Sequence, residues 1–261
     1  CQCRSPQGNN LKNTARLYTN TSRGVLQEEL NAIDSLLDLV KSNHPQVTEV
    51  QIQLSRLREL RGTLGRLEKG NLLDDTEFFE LKSAFAIFNR ISKMKSLLDA
   101  AGVCFDDTKS AADLLDPAGT GNPTFHIYSE YSPELALIRA RKKELERDIR
   151  QATGKQRKTL LTQRALLTAE EDKDEEVIRR ELGMKLAEWL PQINNNVNSC
   201  ANLDFRLAKA FLASRWNGCL PKLVEHHSPS KLHNAFHPLI ASMLEKQGLT
   251  FTPTSIELQK G

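Results

Sequence analysis

Apolar residues recur every three or four positions over most of this chain, and this spacing places them on one face of an α-helix. From Arg23 such a pattern runs to the polar stretch Ser42–Pro45, where a proline ends it. A second pattern begins near Thr48 and closes at Gly70, a residue suited to the left-handed position that follows many helices. The helical part of the chain is therefore predicted to open with two amphipathic helices.

A third helical pattern is followed by a loop. Asp74 and Asp75 are candidate N-caps, and they precede an apolar face rich in phenylalanine. From Gly102 to Tyr131 the chain holds two prolines and several glycines, which predicts a loop with at most one short helix and one strand. We therefore predict a helical core bundle with its loop over residues 23–131, and a poorly ordered polar N-terminus over residues 1–22.

A pair of long helices is predicted next. Ser132 is a candidate N-cap with Pro133 at the first helical position, and a narrow apolar stripe then leads to Gly154, which we interpret as the tip of a helical hairpin. The returning leg carries a stripe in which every step is three or four residues: Ile178, Leu182, Leu186, Trp189, Ile193, Val197, Ala201, Phe205, Ala208 and Leu212. Pro191 does not shift its phase, so this proline kinks a helix or starts a new one in line. Residues 132–216 are thus predicted to form a narrow antiparallel arm that returns to the bundle.

The last part of the chain changes character. Prolines mark residues 217–238 as irregular, a short helix is expected over residues 239–247, and "LTFTPTSIELQKG" alternates as β-strands do. We interpret this end as a candidate strand pair with no sheet to join within the chain. The predicted fold class is therefore mainly α, a helical bundle with a long antiparallel helical arm that ends in a short β segment.

Composition and cysteine usage narrow the class of protein. Of the 261 residues 39% are apolar, and no window approaches 18 consecutive apolar residues, so no membrane partner is expected. The five cysteines are odd in number and scattered, which favours reduced thiols and a cytoplasmic location. No phosphate loop, nucleophile elbow or paired metal-binding helix motif is found, so we assign no catalytic residue, no cofactor and no enzyme activity to this chain as it stands.

Four histidines lie close together near the end of the chain. His226, His227, His233 and His237 fall within twelve positions, and Cys219 is nearby. Zinc requires three or four nitrogen or sulfur ligands in tetrahedral geometry, and this spacing matches no familiar zinc site. Ordinary loop histidines are the preferred interpretation, and no metal ligand is assigned.

The charges of the predicted arm are segregated. Between Arg139 and Arg164 ten Lys or Arg oppose three acids, a net charge of +7, whereas Ala169–Glu176 holds six acids and one Lys, a net charge of −5. A basic tip suits contact with a phosphate backbone. The candidate DNA-binding residues are Arg150, Lys155, Arg157 and Lys158. The alternative is a solvated surface on which the acidic stretch answers the basic one across the hairpin.

Three stretches resemble, in order, the MutS family of DNA mismatch repair ATPases. "SPELALIRARKKELERDIR" is similar to the helix that climbs the family's lever, and "EEVIRRELGMKLAEWLPQINNNVNSCANLDFRLAKAFLASRW" is similar to the long returning helix. "FHPLI…LTFTPTSIEL" is similar to the opening of the ATPase domain, and "LEKGNLLDDTEFFELKSAF" fits the core bundle. The resemblance covers about residues 66–261. It implies that residues 132–216 are the lever and residues 217–261 the incomplete beginning of an ATPase domain.

The resemblance implies properties of the whole protein that composition does not. These are binding of ATP and Mg²⁺, binding of DNA, and a homodimer formed mainly through an ATPase domain that continues beyond Gly261. It also implies that Phe251 stacks on the adenine of ATP, the alternative being a strand residue that packs on the neighbouring domain. The stretch around "QATGKQRKTLL" is too short for the family's clamp domain, so the chain resembles a clamp-less branch. Either Lys155, Arg157 and Lys158 contact phosphates unaided, or this branch no longer clamps DNA.

We therefore expect the core and lever region of a MutS-related protein. Its stiff arm would couple the nucleotide state of an ATPase domain to the binding of DNA or another partner. One alternative is a helical coiled-coil scaffold that binds protein through its arm without nucleotide chemistry. Another is non-specific nucleic-acid binding by the basic arm alone. A Gly-rich segment ending in Gly-Lys-Ser or Gly-Lys-Thr after Gly261 is the feature that separates the ATPase from the scaffold.

Overall fold

The computed structural model describes residues 2–224 and 228–258. This part of the chain contains 3-10 turns at Asn20–Ser22 and Ser129–Tyr131 together with these elements: α1 Pro6–Thr14, α2 Arg23–Lys41, α3 Pro45–Arg56, α4 Arg61–Glu68, α5 Asp75–Ile91, α6 Lys95–Ala101, α7 Lys109–Leu114, α8 Pro133–Gln151, α9 Gly154–Ala187, α10 Leu190–Arg215, β1 Ser230–Ala235, α11 Pro238–Lys246 and β2 Thr254–Leu258. The prediction of a mainly α fold that ends in a short β segment is confirmed. None of the helices described here is long and apolar enough to cross a membrane.

Local capping chemistry sets several helix ends where the sequence predicts them. The carboxylate of Asp74 accepts a hydrogen bond from the backbone N–H of Glu77 at 2.8 Å, and the carboxylate of Glu77 accepts from the N–H of Asp74 at 3.0 Å. Gly70 follows α4 with a φ of 68°, the left-handed conformation that glycine adopts at little cost. Ser132 caps α8 through its hydroxyl. These ends depend on residues close in sequence, and therefore local patterns locate them.

Two of the predicted helices are each divided in the structure. The second pattern forms α3 and α4, separated at Leu57–Leu60, and the third forms α5 and α6, separated at Ser92–Met94. The apolar residues at these corners, Leu57, Leu60 and Met94, are themselves buried. Because the corners point their apolar side chains inward, the hydrophobic spacing continues across them and gives no sign of the change in direction.

Helix α10 lies at the centre of the bundle, where it contacts α1, α2, α3 and α6. Its partner on α2 is Glu29, which is 8% exposed and accepts hydrogen bonds from Arg206 and Lys209, both at 2.7 Å. Burial alone would raise the pKa of Glu29, but the hydrogen bonds from Lys209 and Arg206 outweigh burial and hold this pKa below its ordinary value. A charged triad that satisfies itself in this way ties α2 to α10.

The loop over residues 102–131 is fixed against the bundle from two sides. The ring of Phe125 lies 5.1 Å from the ring of Phe78 on α5. The buried side chain of Asn196 on α10 accepts from the N–H of Asp106 at 2.7 Å and donates to the carbonyl of the same residue at 3.0 Å. The loop contains the short helix that the sequence predicts, as α7, but its closing stretch forms a 3-10 turn rather than the predicted strand.

The N-terminal residues differ from the poorly ordered segment that we expected. Residues 6–14 form α1, which packs on α10. The carboxylate of Asp204 accepts from the N–H of Arg4 at 3.0 Å, from the N–H of Ser5 at 2.7 Å and from the hydroxyl of Ser5 at 2.6 Å. Composition was misleading here because the polar groups of this segment bind a buried carboxylate instead of water. Gly8 packs directly on that carboxylate.

The C-terminal strand finds a partner that the sequence did not reveal. β2 pairs antiparallel with β1, with Leu232 opposite Ile256, so the expectation of a strand with no sheet to join within the chain is wrong. β1 lies within residues 217–238, for which the prolines predict irregular structure. The short helix expected near this end is confirmed as α11. Both Leu232 and Ile256 remain exposed, so the small sheet contributes little to the core.

The close approach of Gly8 to Asp204 gives a prediction for the N-terminal helix. An added Cβ on Gly8 would lie 2.3 Å from an oxygen of Asp204. We expect Gly8→Ala to lower the free energy of unfolding by about 1 to 3 kcal/mol, the range for overpacking. Amide hydrogen exchange in α1 should accelerate before that of the bundle. Denaturant unfolding and hydrogen exchange measure the two effects.

Gly65 provides the matched control. It lies in the middle of α4, and nothing would lie within 4 Å of an added Cβ. Gly65→Ala should therefore raise stability by about 0.5 to 1 kcal/mol through helix propensity alone. If both substitutions changed stability in the same direction, the tight docking of α1 on Asp204 would be contradicted.

Candidate nucleic-acid interface

The predicted arm is present as the antiparallel pair of α8 and α9. Here "the arm" means α8 together with residues 154–175 of α9, and "the tip" means residues 150–158. The 19 residues of α8 span about 28 Å at 1.5 Å per residue. Gly154 is the first residue of α9 rather than the centre of the turn, which Ala152 and Thr153 form. Beyond the arm α9 continues along α4, so one helix joins the tip to the bundle.

Charged groups hold the two helices together near the base of the arm. Glu171, 9% exposed, accepts a hydrogen bond from Arg139 at 2.8 Å and another from Lys142. Burial alone would raise the pKa of Glu171, but the hydrogen bonds from Lys142 and Arg139 outweigh it and hold this pKa below its ordinary value. Leu135 is the one residue of α8 that is fully buried, so these pairs add to a narrow apolar contact between the two helices.

A second set of ion pairs fastens the base of the arm to the bundle. Arg179 donates to Asp75 at the start of α5 at 2.9 Å and to Glu175 at 2.8 Å. Glu175 also accepts from Arg139 at 2.9 Å. The network therefore runs without interruption from α5 through α9 to α8 and Glu171. Two of the six acids of the acidic stretch, Glu171 and Glu175, form ion pairs with basic residues in this network. Such pairing across the hairpin is what the alternative interpretation of the arm's charges predicts.

The tip is organised differently from the base. The four predicted DNA-binding residues are all exposed, with Arg150 in the last turn of α8 and Lys155, Arg157 and Lys158 in the first turns of α9. Within residues 2–224 and 228–258 no ion pair involves any of the four, whereas Arg164, further down the arm, pairs with Glu146 at 3.0 Å. The turn between the helices thus gathers four cations that form no ion pair in the described part of the chain.

The position of these cations relative to α9 concentrates the positive charge. Thr153 makes no side-chain cap, and the first turn of α9 contains no acidic residue. The start of a helix carries a partial positive charge from its free N–H groups, so cations there are unfavourable and anions favourable. The tip therefore combines a helix start with the charges of Lys155, Arg157 and Lys158. Such an arrangement attracts anionic groups and can contact successive phosphates.

Phe251 lies on a different part of the molecule. It is half-buried in the segment between α11 and β2. The neighbouring sheet approaches the end of α10, where the ring of Phe236 lies 6.4 Å from that of Trp216. The structure thus brings the four tip residues together and assigns Phe251 to the C-terminal segment, so a nucleotide at Phe251 and DNA at the tip would be separate sites.

Two of the four clustered histidines, His233 and His237, lie in the described part of the chain. His226 and His227 lie outside the described residues, and His237 accepts from the N–H of Ile240 at 3.4 Å and so caps α11. Within the described ranges no group of three or more His, Cys, Asp or Glu side chains is placed to hold a metal ion. The ion-pair network at the base is the group most important to the arm. Sequence analysis did not predict the specific pairs that form it. Charge segregation indicated that Arg139 and Glu171 lie on opposite sides of the turn, but the exact pairs depend on the register of the two helices.

Comparison with known proteins gives a partial match. No family model matches the chain. Over 74 residues, 28% of this chain, the sequence is 42% identical to a protein named endonuclease MutS2 from Lactobacillus helveticus (strain DPC 4571). The match spans 9% of that protein's length. This similarity supports a relation to MutS proteins and does not extend to any branch among them.

The pKa of Glu171 gives a prediction for the pairing of α8 and α9. Because the folded-state pKa lies below the unfolded value of about 4.3, the ion pairs of Glu171 add stability that is complete above the unfolded pKa and is lost as the pH falls through the folded pKa. Near neutral pH, Glu171→Gln should lower the free energy of unfolding by about 1 to 2 kcal/mol. As the pH falls from about 4.3 toward the folded pKa the difference from the wild type should shrink, since the unfolded carboxyl binds its proton before the native one does.

Denaturant unfolding across this pH range measures the difference. Glu181→Gln is the control, because Glu181 is an exposed carboxylate on the same helix and forms no ion pair in the described part of the chain. It should change stability little at any of these pH values. A difference between Glu171→Gln and the wild type that stayed constant with pH would contradict the assigned ion pairs.

Proposed function

We propose that this chain is the core and lever region of a MutS-related protein and that the tip of its arm binds the phosphate backbone of DNA. The observation that carries the proposal is the contrast between the two ends of the arm. Acids neutralise Arg139 and Lys142 at the base, whereas Arg150, Lys155, Arg157 and Lys158 are exposed and outside any ion pair in the described residues. A cationic end on a stiff support suits an extended polyanion.

The partial similarity to a MutS2 protein adds support for the choice of DNA among polyanions. It covers a minor part of both proteins, so the nucleic-acid interface is argued from the tip itself. Lys and Arg contacts to phosphates position a protein on nucleic acid without reading its sequence. We therefore propose binding that depends strongly on salt and little on base sequence.

The coupling role rests on the continuity of the helices. α9 begins at the tip and leads into α10, which passes through the bundle and ends at Arg215, next to Trp216 and the C-terminal segment. The network of Asp75, Arg179 and Glu175 holds the base of the arm to α5, so a displacement of the bundle would turn the arm as one body. We propose that the whole protein uses this connection to relate its nucleotide state to DNA binding at the tip.

The remaining features of the whole protein are proposals on the same basis. They are ATP and Mg²⁺ as cofactors, ATPase activity outside this chain, a homodimer formed mainly through an ATPase domain, and a cytoplasmic location. Of the described residues only Phe251 is assigned to the nucleotide, as a flat apolar surface for adenine, and it is half-buried. Mg²⁺ is assigned to no residue here, because the described residues contain no suitable cluster.

The tip gives a direct test of DNA binding. The triple variant Lys155→Glu, Arg157→Glu and Lys158→Glu replaces three cations at one helix start by anions. We expect duplex DNA to bind at least about a hundredfold more weakly, and the slope of log affinity against log salt to fall by about three, one for each lost phosphate contact. Fluorescence anisotropy at several salt concentrations measures both quantities.

A charge-matched variant separates the tip from the net charge. Arg56→Glu, Lys69→Glu and Lys93→Glu change three exposed bundle residues that form no ion pair in the described residues. This variant should keep most of the affinity and the full salt slope. If both triple variants lost the same amount of DNA affinity, the loss would be an effect of overall charge. If the tip variant bound DNA as tightly as the wild type, the tip would be excluded as the DNA-binding site. In that last case the coiled-coil scaffold that binds protein becomes the better description.

Phe251 gives a test of the nucleotide proposal in the whole protein. Phe251→Ala removes the stacking surface and should weaken ATP binding by about 1 to 3 kcal/mol, the range for stacking of a base on an aromatic ring. Phe251→Trp keeps a flat ring and should retain affinity. Calorimetric titration with ATP measures both variants. An alanine variant that bound ATP as tightly as the wild type would assign Phe251 to packing instead.

A further inference from the structure

The solvent side of α9 carries an exposed seam with heptad spacing. Its members are four and three residues apart in alternation, and here "the seam" means Leu166, Glu170, Lys173, Val177, Arg180 and Met184. The three apolar members are exposed by 62% at Leu166, 57% at Val177 and 59% at Met184. The buried residues of α9, such as Glu171 and Ile178, lie on the other side of the helix. Heptad spacing of apolar residues is found on the face by which paired helices pack in coiled coils.

We propose that the seam is an interface between two copies of this chain, packed antiparallel about a two-fold axis at the level of residue 175. Under this axis the sequence of the seam is complementary to itself, as a two-fold interface requires. Leu166 of one copy then lies opposite Met184 of the other, so apolar faces apolar. Glu170 lies opposite Arg180, so acid faces base, and Lys173 lies opposite Val177.

The shape of the surface fits the same register. Beside Leu166 a groove of about 390 Å³ opens between α8 and α9, with Leu145 and Leu167 in its walls. Beside Met184 a second hollow of about 610 Å³ is bounded by Leu72 and the helix. The two-fold axis brings Met184 of one copy to the groove beside Leu166 of the other, and Leu166 to the hollow beside Met184. Both apolar ends of the seam therefore face an open hollow on the surface of the other copy.

Two small residues allow the helices to come close. Ala169 and Gly183 flank the seam on the same side, and the axis brings each to within two positions of the other in the second copy. Nothing in the chain lies within 4 Å of an added Cβ at Gly183, so this surface is open to a partner. Small residues that meet in this way let helix backbones approach more closely than large ones do.

The charged residues of the seam can change ion-pair partners when a second copy binds. Arg180 pairs within its own helix with Glu176 at 3.2 Å, and both side chains are more than half exposed. Such exposed pairs contribute only a few tenths of a kcal/mol, so Arg180 can pair with Glu170 of a second copy at little loss. Lys173, which forms no ion pair in the described residues, comes next to Glu176 of the second copy.

The length of the seam limits the strength of the dimer contact. From Leu166 to Met184 it extends about 27 Å along one helix, which is small beside the interfaces of permanent complexes. We therefore expect a reversible dimer whose population depends on concentration. This contact is separate from a dimer through an ATPase domain, and it does not depend on DNA binding at the tip.

Charge exchange at Glu170 and Arg180 tests both the partner and the register. Sedimentation velocity over about 10 to 200 µM covers the range in which small interfaces dissociate. Glu170→Arg alone and Arg180→Glu alone each place like charges opposite one another twice per dimer. Each should weaken dimerisation by about tenfold or more. An equimolar mixture of the two single variants restores both opposite pairs and should dimerise again, as should the double variant.

Asp172→Arg is the control, since Asp172 is exposed on α9 but lies away from the seam. It changes the net charge by the same amount as Glu170→Arg and should leave dimerisation unchanged, and circular dichroism should show every variant to be as helical as the wild type. A wild-type chain that stayed monomeric over this range would overturn the proposal. Association that persisted in Glu170→Arg would also overturn it, and would assign the contact to the exposed apolar C-terminal segment.

Discussion

The arrangement of the arm depends on how a small number of carboxylates are shared at its base. A pair of helices with so narrow an apolar stripe gains little from packing, and α8 buries only Leu135 fully. Glu171 and Glu175 therefore bridge the two helices through Arg139, and Arg179 extends the same network to Asp75 on α5. Because these pairs hold the base in place, the arm continues the bundle instead of being a separate hairpin.

The pairing of acids at the base also determines which charges stay unpaired at the tip. The acids that pair at the base lie more than ten residues beyond the tip, so they cannot also neutralise Lys155, Arg157 or Lys158. An even mixture of charges along both helices would also have held the arm together, through pairs distributed along its length. The observed segregation instead gives a base held by ion pairs and a tip whose cations form none in the described residues. The attachment to the bundle and the proposed anion binding are thus located at opposite ends of one pair of helices.

The sequence predicts features that depend on neighbouring residues. It does not predict features that depend on residues far apart in the chain. The caps at Asp74 and Ser132 and the end at Gly70 involve neighbouring residues, so patterns locate them. The docking of α1 requires Asp204 to meet Ser5, 199 residues away, and no local pattern reports such a contact. At the candidate site, charge counts and the hairpin turn were enough to predict exposed cations. Which acids pair with Arg139 depends on the register of two helices, which only the structure defines.

The choice of residues at the start of α9 bears on function more than on stability. Acidic residues are favourable in the first turn of a helix, and a side-chain cap at Thr153 would add further stability. The chain has three cations in the first turns and no cap, while the acids lie in the middle of the helix, where the dipole gives them no advantage. A turn that only had to close a hairpin would gain stability from the opposite arrangement. The departure from the locally stable choice fits the proposed binding of an anionic partner at the tip, which would supply the missing charges from outside.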